Sequence, residues 1–308
     1  MQKPKVIVIC GPTASGKTAL SIELAKKING EIISADSMQI YKDMDIGTAK
    51  VTEEEKEGIM HYLVDFVEPD KRYTFSDFKK DSEAAIEEIL AKGKVPIVVG
   101  GTGLYVNSLI YGIEYMDMEF DSEYRDELMK RAEIEEGLKA LYEEACKIDA
   151  KAMEKISSND KKRIVRVLEI YKATGKTKTE LEILSREKGI KYDFKKFAIN
   201  MDREKLYNRI NLRVDIMLEQ GLVEEVKNIY NKYDEYPTAM QALGYKEVVE
   251  YLEEKISYEE MVEKIKQETR RYAKRQLTWF RKNNDYLWLD SDMGIQNNVN
   301  IILEEINE

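Results

Sequence analysis

Apolar residues follow two rhythms along this chain. In one they form short runs: Val6 to Ile9, Glu31-Ile-Ile-Ser-Ala35, Val95 to Val99 and Phe197 to Asn200. Short apolar runs rich in β-branched residues and bounded by turn formers read as buried strands. In the other rhythm, apolar positions recur every three or four residues, as on an amphipathic helix. Leu20 to Ile28 is the first such segment. Thr74-Phe-Ser-Asp77 supplies a capping signal for another, which carries the stripe Phe78, Ala85, Ile86 and Ile89 and stops at Gly93. Between Ile40 and Lys50, a stretch with Asp43, Asp45 and Gly47-Thr48, a loop with a short helix is expected. Strands alternating with helices predict an α/β fold, a parallel sheet flanked by helices.

From about Glu114 to Phe194 strand-like runs vanish and charge-rich helical periods take over. Ser122 to Ala132, Leu138 to Ile148 and Asp160 to Thr174 each read as a helix. The last holds Ile164, Val167, Leu168 and Tyr171 at helical spacing and ends at Gly175. After the strand at Phe197, Asp202 caps a helix with the stripe Leu206, Ile210, Val214 and Met217, broken at Gly221. Gln241 to Lys246 leads into a further helix, a long helix runs from about Tyr258 to Lys282, and Tyr286 to Leu289 reads as an edge strand. The acidic tail from Asp290 reads as a short helix. The expected organisation is a sheet core in 1–113, an all-helical insertion in 114–196, and the mostly helical remainder of the core in 197–308.

Composition alters this picture little. A chain of 308 residues suggests about two domains. The 43% hydrophobic content is enough for sizeable cores, and the 35% charged content keeps the surface solvated. A formal net charge of -10 argues at first against a nucleic-acid partner, but a sum over the chain hides local basic faces. Cys10 and Cys146 offer neither metal spacing nor a disulfide framework, and Cys10 ends the first strand as a small hydrophobe. His61 has no Cys or His partner for a metal, so a local structural hydrogen bond is its expected use. With no leader and no long apolar span, a cytoplasmic protein is expected. No exposed heptad or long unpaired strand stands out, so a monomer is expected.

The strongest chemical signal is Gly11-Pro12-Thr13-Ala14-Ser15-Gly16-Lys17-Thr18, set between the first strand and the first helix. That context makes it a phosphate-binding loop. Its backbone N–H groups curl around an anion, the helix start adds its positive dipole end, Lys17 supplies a mobile charge, and the Thr18 hydroxyl suits Mg²⁺. Whether phosphoryl transfer or loss of pyrophosphate follows is open at this point. Asp36, just past the second strand, lies where such sheets bind ligands, although a turn or cap aspartate is the plainer reading. The strand at Val95 ends in Gly100-Gly101-Thr102-Gly103, where phosphate-loop kinases and ATPases commonly place an acidic residue. That weakens a plain ATPase reading and favours room for a bulky second substrate. Arg209 and Arg213 share the polar face of their helix and can reach toward a polyphosphate. Lys161, Lys162, Arg163 and Arg166 crowd one helix start, which the dipole disfavours and phosphate contacts would explain. Thr269 to Arg281 interleaves basic and aromatic residues, as a nucleic-acid backbone contact would, or as a core helix with a basic outer face would.

Taken together, these stretches resemble the bacterial tRNA dimethylallyltransferase family. The resemblance rests on Gly11 to Thr18, Asp36-Ser-Met-Gln39 with Ile40-Tyr-Lys, Asp45-Ile-Gly-Thr-Ala-Lys50, Gly100 to Tyr105, Asn159 to Arg166, Leu206 to Gly221, Gly244 to Glu247 and Ala273 to Arg281, in order over nearly the whole chain. No zinc-finger extension of the eukaryotic kind is present. The resemblance implies a P-loop NTPase-like fold and transfer of a dimethylallyl group from dimethylallyl diphosphate to the exocyclic N6 amine of the adenine 3′ of the anticodon. It implies Asp36 as general base, Thr102 as positioner of the reacting centre, and pyrophosphate held by Gly11, Pro12, Thr13, Ala14, Ser15, Gly16, Lys17, Thr18 and Arg213 with Mg²⁺ at Thr18. The tRNA anticodon stem-loop would meet Asp36, Ser37, Met38, Gln39, Thr102, Arg125, Lys162, Arg163, Ile164, Val165, Arg166, Gln241, Ala242, Leu243, Gly244, Tyr245 and Lys246, with the adenine flipped out of its stack. A small-molecule kinase using ATP, an adenylate isopentenyltransferase and a non-enzymatic RNA-binding module are the competing readings.

Overall fold

The computed structural model describes residues 3–112, 121–187 and 189–307. They divide into two compact units, Met1–Leu109 with Lys191–Glu308, and Ile110–Ile190. The expected start of the insertion at Glu114 lies outside the described residues.

The first unit opens with β1 (Lys5–Cys10), α1 (Lys17–Ile28), β2 (Gly30–Ser34), the single turn α2 (Glu53–Lys56), β3 (His61–Tyr62), α3 (Phe75–Ala91), β4 (Val95–Gly100) and α4 (Gly103–Ile110). The second unit holds α5 (Ser122–Arg131), α6 (Glu135–Ile148), α7 (Ala150–Met153), α8 (Lys161–Thr174) and α9 (Lys178–Glu187). The chain then returns through β5 (Asp193–Asn200), α10 (Arg203–Glu219), α11 (Leu222–Lys232), α12 (Tyr245–Leu252), α13 (Tyr258–Phe280), β6 (Leu287–Asp290) and α14 (Ile295–Asn307).

The sheet is parallel throughout, in the order β3-β2-β4-β1-β5-β6. Val6 to Cys10 of the central β1 are fully buried, so the strand must be apolar on both faces. β5 begins earlier than the apolar pattern suggests, with Asp193 opposite Lys5. Residues 193–196 thus belong to the sheet and not to the insertion. Lys195 and Lys196 are only half buried there, and they break the hydrophobic run that marks the rest of the strand. Ile7, Ile9, Leu24, Ile32, Ile97 and Phe197 form the core between sheet and α1, completed by Val299 and Ile302 of α14. Full burial of one such aliphatic side chain is worth about 1.5–3 kcal/mol. A second core joins α10 to α13 onto the segment after β2 through Ile40, Tyr41, Val214, Val226, Tyr245, Val248 and Ile265. The helical unit has its own core of Leu128, Leu141, Ala145, Ile164, Val165 and Leu168.

Parallel strands end on one edge of the sheet. Cys10 pairs with Gly100 and Ser34 with Val99, so the loops after β1, β2 and β4 emerge side by side. Those loops carry the phosphate motif, Asp36 and Thr102. None of the described helices is long and apolar enough to cross a membrane.

Candidate active site

The phosphate loop is shaped by backbone conformations that favour glycine. Gly16 caps α1 with φ +93, in the left-handed region where a side chain is strained. No side chain caps α1, so its first N–H groups remain available to an anion. The Ser15 side chain is buried and its Oγ has no hydrogen-bond partner among the described residues. Thr18 is exposed at the mouth of the loop. Lys17 Nζ donates to the Pro12 carbonyl at 2.6 Å, folded back over its own loop. Burial lowers the Lys17 ammonium to about 8. Attraction to Asp36 opposes that shift, and the like charge of Arg213 adds to it. Arg213 is likewise lowered, chiefly by burial, with Asp36 again pulling the other way. Arg209 and Arg213 lie one turn apart on α10 and both face the cavity over the loop.

Asp36 stands just beyond β2. Its Oδ1 accepts from the backbone N–H of Met38 at 2.9 Å and of Gln39 at 3.4 Å, which locks the carboxylate into a tight turn. Its Oδ2 accepts no hydrogen bond from the described residues and is available to a substrate. Thr102 is tied to the same turn. Its Oγ1 accepts from Ser37 N–H at 3.0 Å, and its own N–H donates to Ala35 O at 3.2 Å. Gln39 spans the next gap, donating from Nε2 to the carbonyls of Thr48 and Ala49. The turn that carries Asp36 is therefore held on three sides by hydrogen bonds.

Two cavities meet at this turn. One, of about 730 Å³, is lined by residues 13–18 with Asp36, Arg209, Arg213, Tyr272 and Gln276. The other, of about 300 Å³, is lined by Ser37, Met38, Thr48, Gln241 to Gly244 and Arg275. Thr13, Asp36, Thr48, Arg213 and Tyr272 belong to both linings. The expected base thus stands where a phosphate-holding space opens into a second space lined by the 241–244 stretch.

Within the expected tRNA stretches, the structure separates surface from core. Lys162, Arg163, Gln241 and Lys246 are exposed, while Ile164, Val165, Ala242 and Tyr245 are buried. The side chains of those four pack inside their units. Tyr245 also gives its hydroxyl to Glu225. In the helical unit, Arg125 Nη1 donates to Glu169 Oε2 at 2.7 Å and Arg166 lies 3.8 Å from the same carboxylate. Asp160 caps α8 and pairs with Arg163 at 3.0 Å, which offsets part of the cationic crowding there. His61 takes the local role expected of it, its Nδ1 lying 2.9 Å from the Ile59 carbonyl. Burial pushes the Cys10 thiol up to about 12, so it stays protonated.

Three further residues shape the site without having been singled out by motif. Glu225 accepts from the N–H groups of Asp45, Ile46 and Gly47 at 2.7–3.0 Å, fixing the loop that holds Gln39. Gln276 and Tyr272 of α13 face the cavity. A signal for Gln276 existed: Met261, Ile265, Ala273, Gln276 and Phe280 form the buried stripe of α13, so its amide had to find partners inside.

Two family descriptions match the chain: IPP transferase over residues 39–283 and isopentenyl transferase over residues 4–67. A tRNA dimethylallyltransferase of Acetivibrio thermocellus is 54% identical over 93% of this chain and 92% of its own. One from Bacillus anthracis is 47% identical over 96% and 93%. The crystal structure of a tRNA delta(2)-isopentenylpyrophosphate transferase from Staphylococcus epidermidis covers 99% of both chains at 45% identity with a TM-score of 0.72. A eukaryotic dimethylallyltransferase acting on tRNA matches at 34% identity with a TM-score of 0.76, over 94% of this chain and 74% of that one.

Proposed function

The chain belongs to the IPP transferase family, and from that premise we propose that it is a tRNA dimethylallyltransferase. It transfers the dimethylallyl group of dimethylallyl diphosphate to the N6 amine of the adenine 3′ of the anticodon and releases pyrophosphate. The observation that carries this reading is Asp36 at the junction of the two cavities. The donor's diphosphate lies in the loop 11–18, and the flipped adenine comes through the space lined by Ser37, Met38 and 241–244. Unstacking that base costs a few kcal/mol.

An adenine amine is a weak nucleophile, since its lone pair is delocalised into the ring. As it attacks the allylic carbon, the C–O bond to diphosphate breaks and the amine becomes acidic. Asp36 Oδ2 takes that proton, while Oδ1 stays engaged by the turn. Thr102, anchored to Ser37, holds the reacting centre beside the carboxylate. Negative charge growing on the leaving group meets Lys17, Arg213, Ser15 Oγ and the loop amides, all set before the reaction starts.

Thr18 suits a Mg²⁺ ion: it is exposed at the loop mouth and offers a hydroxyl oxygen. That donor set matches an ion held mainly by diphosphate oxygens and water. When bound, it supplies further positive charge beside the pyrophosphate. For tRNA, Arg125, Lys162, Arg163 and Arg166 of the helical unit supply phosphate contacts. A monomer working in the cytoplasm completes the reading.

The test uses labelled dimethylallyl diphosphate with unmodified tRNA, beside Asp36→Ala and an ATP-hydrolysis control. Label entering tRNA, and lost in the variant, is the expected result. ATP turnover without label in tRNA would replace the proposal with the kinase reading.

A further inference from the structure

Gln276 is 5% exposed and sits on the buried stripe of α13, which packs against α10 at the site. Its amide makes two bonds to two different loops. Oε1 accepts from the backbone N–H of Thr13 at 2.9 Å, and Nε2 donates to the Gly101 carbonyl at 3.0 Å. One partner is the loop that would hold the leaving group. The other is the loop whose next residue, Thr102, is pinned to the Asp36 turn. Only one orientation of the amide satisfies both, because Thr13 can only donate and Gly101 can only accept. A Cβ on Gly101 would lie 2.1 Å from Nε2, so a side chain there would push the amide off the Gly101 carbonyl. Tyr272, one turn earlier on α13, lines the same cavity as Gln276.

We propose that Gln276 is a positioning residue for prenyl transfer, setting the distance between the phosphate loop and the Thr102–Asp36 side of the site. The inference rests on the transferase reading above. In-line displacement needs the amine, the allylic carbon and the leaving oxygen aligned, with reacting atoms about 3–3.5 Å apart before reaction. The amine is placed from the Asp36 side and the leaving oxygen from the phosphate loop. A single side chain with one hydrogen bond to each is the direct link between the two placements. Both hydrogen-bonding groups of the Gln276 amide are engaged by the two loops, so its loss would act on alignment more than on affinity.

Two variants test this on the full chain. Gln276→Met keeps the length and removes both hydrogen bonds. A displacement of about 1 Å costs about 100-fold, so its single-turnover transfer rate is expected to fall by about that factor, with KM for donor and tRNA held within about threefold. Gln276→Glu presents the same two positions when its carboxyl is protonated and loses the Gly101 bond when it ionises. Its rate relative to wild type is therefore expected to rise as pH is lowered, a signature that general loosening of the fold would not give. Thermal unfolding of each variant is measured alongside, and rates are corrected for the folded fraction. The inference is overturned if folded Gln276→Met transfers within about threefold of wild type, if its loss falls on KM and not on the rate, or if the Gln276→Glu ratio is flat with pH. Wild type separates this from the wider reading: no label in tRNA from wild type sinks the transferase assignment, whereas equal label from all three proteins sinks only the role of Gln276.

Discussion

Replacing Asp36 by Asn is the most informative single change. Asparagine keeps an oxygen where Oδ1 accepts from Met38 and Gln39, so the turn survives and the fold should lose little. What disappears is the proton acceptor on Oδ2. General-base catalysis is worth about 100- to 10,000-fold, or roughly 3–5.5 kcal/mol of barrier, and the single-turnover rate should fall by that amount. Asp36→Ala should lose as much in rate and a further ~1–2 kcal/mol of stability, because the two turn N–H groups lose their acceptor. Neutralising Asp36 also removes the attraction that holds up the Lys17 ammonium, which then drops further below about 8. That effect belongs to donor binding and is kept out of the rate by saturating the donor. The assay is transfer of labelled prenyl to tRNA with enzyme in excess, with thermal unfolding on the same samples. Asp36→Asn transferring within about tenfold of wild type would remove Asp36 from the role of base.

Other outcomes follow from the same geometry. The folded-state value of Lys17, about 8, lies below its ordinary 10.5, so charged Lys17 costs the free enzyme stability below pH 8 and the penalty fades as pH rises through that range. Pyrophosphate should relieve the penalty, giving a larger rise in Tm at pH 7 than at pH 9.5, and Lys17→Met should abolish that difference; equal shifts at both pH values in wild type would count against it. Glu225→Ala frees three backbone N–H groups and the Tyr245 hydroxyl, and urea unfolding should show a loss of about 2–4 kcal/mol, with Glu225→Gln losing less. Lys162→Ala combined with Arg163→Ala should weaken tRNA binding and reduce the slope of log affinity against log salt by about 1.5, whereas an unchanged slope would take those side chains off the phosphate backbone.

The sheet and the phosphate loop were readable from the sequence because both are local statements. An apolar run of four or five, or a glycine-bounded loop before an amphipathic stripe, states its structure within a dozen residues. β3 was not readable, since His61 and Tyr62 are too few to form a pattern. The first half of β5 was hidden by Lys195 and Lys196, whose half-buried positions tolerate charge. α11 was passed over although Leu222, Val226 and Ile229 keep helical spacing, because Gly221 reads as an ending and also serves as the N-cap of the next helix. Motif reading found Asp36 and Thr102 but not the side chains that hold them. Gln276 and Glu225 act on residues some 175 to 263 positions away, and only the packed chain makes those neighbours.

The two cations beside Asp36 are held at the site at a cost of burial. Lys17 and Arg213 are drawn into a partly enclosed cavity with Asp36, and both are lowered by burial despite that carboxylate. Arg209 and the carboxylates of Glu23, Glu55 and Glu57 share that cavity's lining with them. Filling such a site with apolar residues would make a more stable fold, since unpaired buried charge is costly. In the proposed reaction an arriving diphosphate would offset that cost, and Ser15 Oγ would gain a hydrogen-bond partner. In the same reading Asp36 keeps its Oδ2 for the substrate, because the turn engages only its Oδ1. Leaving-group stabilisation and proton removal would then draw on different sides of one small cavity. Gln276, bonded to Thr13 and Gly101, would keep those sides in register.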